Sequence, residues 1–232
     1  MTVAGNTTQK TRPGALHCVS VAAATGLAHH SECREAMKRE MRTGGVAAII
    51  QACCYLLGFV LLATSMNPGS TEGWTQVQKL AFILERQSVF VFWNIVIYVV
   101  FGAALVVLAV VFHRLLQSSS PLVVSIGTPF GLIWAGLVIA SGMVSNVGFS
   151  WVSQAYEAGP EAAAQSWAVI GVVQDGIGGG VEVVGGLWVL LVSVASLNAR
   201  AVLPTTINLL GLAVGVCGSA RPVGVSVTLR FL

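Results

Sequence analysis

Residues 167–197 read WAVIGVVQDGIGGGVEVVGGLWVLLVSVASL. The stretch is longer than the about 20 apolar residues needed to cross the hydrocarbon core of a bilayer. Its apolar residues run on without the alternation of a strand, which selects a helix. A chain in hydrocarbon must satisfy its backbone polar groups internally, so it forms either a helical bundle or a closed barrel. Continuous apolar runs exclude the barrel, whose strands alternate. This one segment therefore sets the class: a membrane helix, and one that carries two acids, Asp175 and Glu182.

The remainder of the chain agrees. Of 232 residues, 55% are hydrophobic and 9% charged, and the mean hydropathy is +0.82. Soluble domains carry about 25% charged residues, so an ordinary soluble enzyme and a disordered chain are both excluded. A net charge of +3 with no dense basic stripe argues against nucleic acid as a partner. The charges are also unevenly spread. Lys10, Arg12, Glu32, Arg34, Glu35, Lys38, Arg39, Glu40 and Arg42 all precede the first long apolar run.

The expected fold is all-α, a polytopic transmembrane bundle of about five spans at 44–64, 89–111, 121–144, 167–197 and 203–218. Residues 1–40 are expected to be a disordered polar leader, with Met37 or Met41 reading as a natural start. Residues 41–218 form the membrane domain, and 219–232 an irregular tail. Pro68 and Gly69 mark the loop after the first span, and His113-Arg114 the end of the second. Ser120 suits an N-cap with Pro121 at the first helical position, and Pro129 predicts a kink. Between spans one and two, Trp74, Val77, Ala81 and Leu84 recur at helical spacing. They predict an amphipathic helix that covers the bundle or lies at the interface.

Lysine and arginine in short loops set orientation. Arg34, Lys38, Arg39, Arg42, Arg114 and Arg200 fall on one side, against Lys79 and Arg86 on the other. The N-terminus is therefore expected in the cytoplasm, with Trp74, Trp93, Trp151 and Trp167 forming an outer aromatic belt.

The two acids are the residues most out of place. An ionised side chain at the bilayer centre costs about 2.5–3.5 kcal/mol on insertion scales. Asp175 and Glu182 are two turns apart, so they share a face, and Gly179 and Gly186 fall on it too. Gly176, Gly179, Gly180 and Gly186 are the expected helix-packing glycines, because glycine lets a second helix approach closely. No lysine or arginine lies inside a span to pair with the acids, so Glu182 is expected to be uncharged at neutral pH. Asn94, Tyr98 and Ser141, with Asn146, are expected in the outer half with Asp175. Gln51 or Thr128 is expected to reach Glu182 from the inner half. These residues make up the candidate proton or ligand site. The run 178–180 also reads as a break in the helix, a feature of transporter sites.

The other chemistry-bearing residues form no pattern. His17, Cys18, His29, His30 and Cys33 match no zinc spacing, and the five cysteines contain no CxxC pair. There is no phosphate-binding loop, HExxH or GxSxG motif. No metal or cofactor is expected, and the chain is read as a non-enzyme.

The pattern Gly186-Leu187-Trp188, an apolar half-span, Leu203-Pro204, Asn208, Leu210-Gly211-Leu212 and Gly215 resembles a segment of uncharacterised bacterial multi-pass membrane proteins. These are grouped as a domain-of-unknown-function family. The resemblance implies about six helices in the bacterial inner membrane and carries over no activity or functional residue. A sixth span is then missing, because residues 219–232 alternate like a strand with no partner. A truncated or frame-shifted end and a natural tail are both open readings. The functional expectation is a non-enzymatic membrane protein whose acids serve bundle assembly, in contact with the lipid bilayer and capable of homo-oligomers through the glycine-rich fourth span. The alternative is a small proton-linked transporter or ligand-binding protein that uses Glu182 and Asp175.

Overall fold

A computed structural model describes residues 27–179, 183–199 and 203–219, all of them helix or short connection. Helix α1 covers Leu27–Thr64, α2 Gln76–Leu84 and α3 Gln87–Leu116. Helix α4 covers Pro121–Tyr156, α5 Pro160–Gln174, α6 Val183–Ala199 and α7 Thr205–Ser219. Two π-helical turns interrupt them: Ile95–Val100 inside α3, and Asp175–Gly179 at the end of α5.

Four helices are long and apolar enough to cross a membrane: Arg34–Thr64, Gln87–Leu116, Pro121–Tyr156 and Pro160–Ala199. This is one fewer than the five expected. The fifth candidate, α7, has 15 residues and a length of about 22 Å, short of a hydrocarbon core of about 30 Å. The described part of α1, Leu27–Thr64, runs without a break across position 40, where the expected polar leader gives way to the membrane domain. Residues 1–26 and the tail 220–232 lie outside the described residues.

Local chemistry explains the boundaries. After α1, Asn67 accepts the Gly69 amide at 2.9 Å, and Gly69 adopts φ 76°, which favours glycine. Helix α2 opens on a capping box: Thr75 Oγ1 accepts from the Gln78 amide, and Gln78 Oε1 accepts from the Thr75 amide. Its buried face is Leu80 and Ile83, flanked by Val77 and Leu84. The face is thus rotated from the expected Trp74–Ala81 stripe, and it packs against Val152, Ala163 and Ala164 at the α4–α5 turn. Pro121 and Pro160 occupy first-turn positions. Ser120 does sit at the N-cap of α4, but its hydroxyl makes no cap bond and instead accepts from Asn198 Nδ2 at 3.2 Å. Helix α4 runs on through Pro129 without ending there.

The core lies where α3, α4 and α6 meet. Phe101, Leu105, Trp134, Val138 and Trp188 are buried there, with Trp134 and Trp188 ring centroids 5.8 Å apart. Helix α1 packs on α3, and α7 on α6, so each flanks this core and leaves one apolar face outward. Arg114 and Glu40 pair at 3.3 Å at the base of α1 and α3.

Helix α4 is antiparallel to α5 and α6 along its whole length. Gly148 meets Ile170, Gly178 meets Leu137, Gly185 meets Trp134, Gly131 meets Trp188 and Gly127 meets Leu191. The two ends of this seam share one register: Gly148 to Gly127 and Ile170 to Leu191 are both 21 residues. Only the middle contact, Gly178 on Leu137, is offset, by three to four residues or about one helical turn. Gly178 marks this local irregularity: its φ of 151° lies in a region only glycine adopts readily.

Close contacts at this seam leave no room for a side chain. Replacing Gly131 by valine drives a methyl group into the Trp188 indole. Overpacking of this kind costs about 1–3 kcal/mol. Thermal unfolding in detergent is expected to show a lowered midpoint for Gly131→Val. Gly136→Ala, which meets open space, is expected to leave the midpoint unchanged.

Candidate functional site

In the half of the bundle toward the α4–α5 turn, two helices carry matching stripes of polar and aromatic residues, and a third closes over them. On α3 the sequence Phe90, Asn94, Tyr98 recurs every four residues, and on α4 Ser141, Ser145, Phe149 does the same, so each set lies on one face. Two contacts fix the register. The Phe90 and Phe149 rings lie 4.8 Å apart, and Tyr98 rests against Gly142. Asn94 is one turn from each α3 contact, which puts it level with Ser145 and Asn146. Helix α5 closes the third side: Trp167 packs edge-on against both Phe90 and Phe149, and Ser141 Oγ donates to the Gln174 carbonyl at 3.2 Å.

Asn94, Ser141 and Ser145 are buried and Asn146 is half-buried. Asn94 and Ser141 are 0% exposed and Ser145 is 1% exposed. Asn94 Nδ2 donates to its own helix at the Phe90 carbonyl, 3.1 Å away. That assigns the other end of the amide as Oδ1, and this oxygen has no hydrogen-bond partner among the described residues. The same holds for Ser145 Oγ and Asn146 Oδ1. Unpaired buried polar atoms cost about 1–3 kcal/mol each, and native proteins keep few of them.

Both π turns adjoin this layer. Ile95–Val100 begins directly after Asn94, and Asp175–Gly179 directly after Gln174. Turns of π-helix inside α-helices occur often at functional sites. Asp175 is exposed on the helix surface, at the level where Ser141 holds Gln174.

The structure places Asn94, Tyr98, Ser141 and Asn146 within about two helical turns of one another, and the exposed Asp175 follows Gln174, which Ser141 holds. Gln51 is not among them. Gly58 packs on Trp93 and Ile97, and Gly44 on Val111, which sets Gln51 opposite residues near Ala104. That is ten positions along α3 from Asn94, about 15 Å. Thr128 is engaged elsewhere. Its hydroxyl donates to the Val124 carbonyl at 2.8 Å, so the contact from His113 Nδ1, also 2.8 Å, must donate to it. A shallow crevice opens beside this pair, lined by Phe112, Leu116, Trp188 and Leu191. It is thirteen positions along α4 from Ser141, about 20 Å, and does not reach Asp175.

Glu182 and Gly180 lie outside the described residues, as does the side-chain environment of Gly179. The packing role expected of Gly176 is not filled: a side-chain carbon there would meet no atom within 4 Å. Gly186 does pack, through its carbonyl against Gly215. Close helix contacts are also made at Gly131, Gly142 and Gly185, where Trp188, Tyr98 and Trp134 occupy the space. Sequence reasoning did not single out Ser145. Its signal was there, four residues after Ser141 and four before Phe149. No group of three metal-ligating side chains occurs among the described residues, where Cys53, Cys54 and Cys217 are free thiols.

Comparison with known protein families, with characterised proteins and with solved structures finds no match. The resemblance drawn from residues 185–218 rests on the sequence alone.

Removing the Ser141 hydroxyl leaves the Gln174 carbonyl unpaired at the start of the π turn. Ser141→Ala is expected to cost about 1–3 kcal/mol of stability, read as a lowered unfolding midpoint in detergent. Ser125→Ala, on an exposed face of the same helix, is expected to have no effect.

Proposed function

We propose that this multi-span membrane protein is a small, non-enzymatic transporter or ligand-binding protein whose working part is the interrupted fourth span. One observation carries the reading: the span Pro160–Ala199 is broken at Gly178, three residues after Asp175. A break in a membrane helix exposes backbone polar groups that hydrocarbon cannot satisfy, and it is tolerated only against protein or a water-filled cavity. Transporters place substrate and ion sites at such breaks. Here the break faces an unbroken partner, α4, and the intramembrane acids Asp175 and Glu182 flank it in sequence. Glu182 enters on its sequence position.

The assembly reading is supported by a different contact, the Ser141 bond that ties α4 to the Gln174 carbonyl. It accounts for one oxygen of the polar layer and leaves Asn94 Oδ1, Ser145 Oγ and Asn146 Oδ1 without partners. A cluster kept only for assembly should be satisfied within itself. The transport reading explains both the break and the open oxygens. In this reading the basic end of α1 lies in the cytoplasm, the membrane is the bacterial inner membrane, and a second copy packs on the outward face of α5 at Val169, Val172 and Gly176.

The test is carbodiimide labelling of the purified protein in lipid across a pH series. The reagent reports a carboxyl group that is protonated and reachable. Labelling at Glu182 and Asp175 that fades as pH rises is the expected result. No labelling at any pH, with normal folding of Glu182→Gln, would assign both acids to sealed contacts and return the protein to an assembly role.

A further inference from the structure

We propose that the oxygens of Asn94, Ser145 and Asn146 form a binding site for one small monovalent metal cation of the size of sodium. The proposal deepens the transporter reading by naming a coupling ion. The site itself stands on different observations from the helix break.

Register and burial define the site. Asn94 lies one turn from both Phe90 and Tyr98, and their partners Phe149 and Gly142 bracket Ser145 and Asn146 on α4. Phe90, Phe149 and Trp167 close the compartment on one side, and Tyr98 seated on Gly142 closes it on the other. The compartment is two turns high, about 11 Å, side chains included. That suits a single ion and excludes an organic substrate.

The chemistry of the open atoms selects the ligand. All three are oxygens, and the two amide oxygens only accept hydrogen bonds. Turning the Asn94 amide to offer a donor would give up its bond to the Phe90 carbonyl. Ser141 adds a fourth oxygen: its proton goes to the Gln174 carbonyl, and its lone pairs remain available. A layer with acceptors to spare calls for a hard cation or a proton donor. Oxygen ligands suit hard cations. None of these four groups is charged, and divalent ions are held chiefly by carboxylates. Neutral oxygens replace the hydration shell of a monovalent ion in channel filters. Backbone carbonyls beside unwound helix do so in transporters, and a π turn starts next to both Asn94 and Gln174.

A single ordered water could fill the same atoms, giving two protons to the amide oxygens and accepting one from Ser145. The two occupants respond differently to salt. Anything bound only by the folded state raises stability with its concentration. The experiment is thermal unfolding of the full chain in detergent, with sodium, lithium, potassium or choline chloride at constant ionic strength. The expected result is a saturable rise in the unfolding midpoint with sodium that choline does not reproduce. Ser145→Ala and Asn146→Ala are expected to weaken the apparent sodium affinity at least tenfold, while Ser125→Ala leaves it unchanged. Using two variants on one helix, separately, guards against either failing to fold. The same midpoint in all four salts would overturn the proposal and assign the site to water. A sodium effect that survives intact in both variants would overturn it as well, by moving the ion elsewhere. The carbodiimide test is separate: a sodium-dependent midpoint without labelling supports the cation site while refuting the acid-centred transport reading.

Discussion

The seam between α4 and the two halves α5 and α6 is the contact on which everything else depends. It is held by glycines on one helix meeting large rings on the other: Gly131 under Trp188, and Gly185 against Trp134. In a bilayer there is no hydrophobic gain from pressing two apolar helices together, because lipid tails are as apolar as leucine. Close van der Waals fit and interhelical hydrogen bonds have to supply the association. Small residues provide the fit, and Ser141 and Asn198 provide the bonds at well-separated points. Helix α3 then lies on the neighbouring face of α4, and α1 and α7 attach to α3 and α6.

That tight seam makes its own defect informative. Above and below the break α5 and α6 stay in step with α4, and the irregularity is confined to the contact of Gly178 on Leu137. It centres on a glycine at φ 151° and adjoins a π turn, a buried serine bonded to a main-chain oxygen, and three buried oxygens without partners among the described residues. Placing these features together costs stability in hydrocarbon, where every unpaired polar group is expensive. A functional guest at that level offsets the cost. The cation proposal follows from this balance and from the excess of acceptors over donors in the layer, where Ser145 supplies the one spare proton among the four oxygens.

Much of the fold was legible in the sequence because its governing signal is long-range and one-dimensional. A run of about 20 apolar residues is visible without knowing any neighbour. The first three spans and the class followed from it. The ends were harder. Helix α1 includes the charged residues around Arg34 and Lys38, which are good helix formers outside the bilayer, whereas hydropathy alone stops counting there. Helix α7 reads as a span by composition but is too short by length. The polar layer was half legible: Asn94, Tyr98, Ser141 and Asn146 stand out as polar residues in apolar runs. Ser145 does not, because a single serine in a membrane helix is common, and only the register between Phe90 and Phe149 shows it to be sealed. The expected glycine contacts of the fourth span were misplaced for a related reason. Spacing along one helix says which glycines share a face, while the partner decides which face is covered. Gly176 faces outward, and the glycine-rich partner surface belongs to α4.

The most direct test of this account is a high-resolution density map of the protein in lipid and sodium, read at the level of Asn94. The account predicts a discrete peak bounded by Asn94 Oδ1, Ser145 Oγ and Asn146 Oδ1, with metal-like short distances and Asn94 Nδ2 still on the Phe90 carbonyl. Side chains that turn to pair with one another, leaving no peak between them, would contradict it.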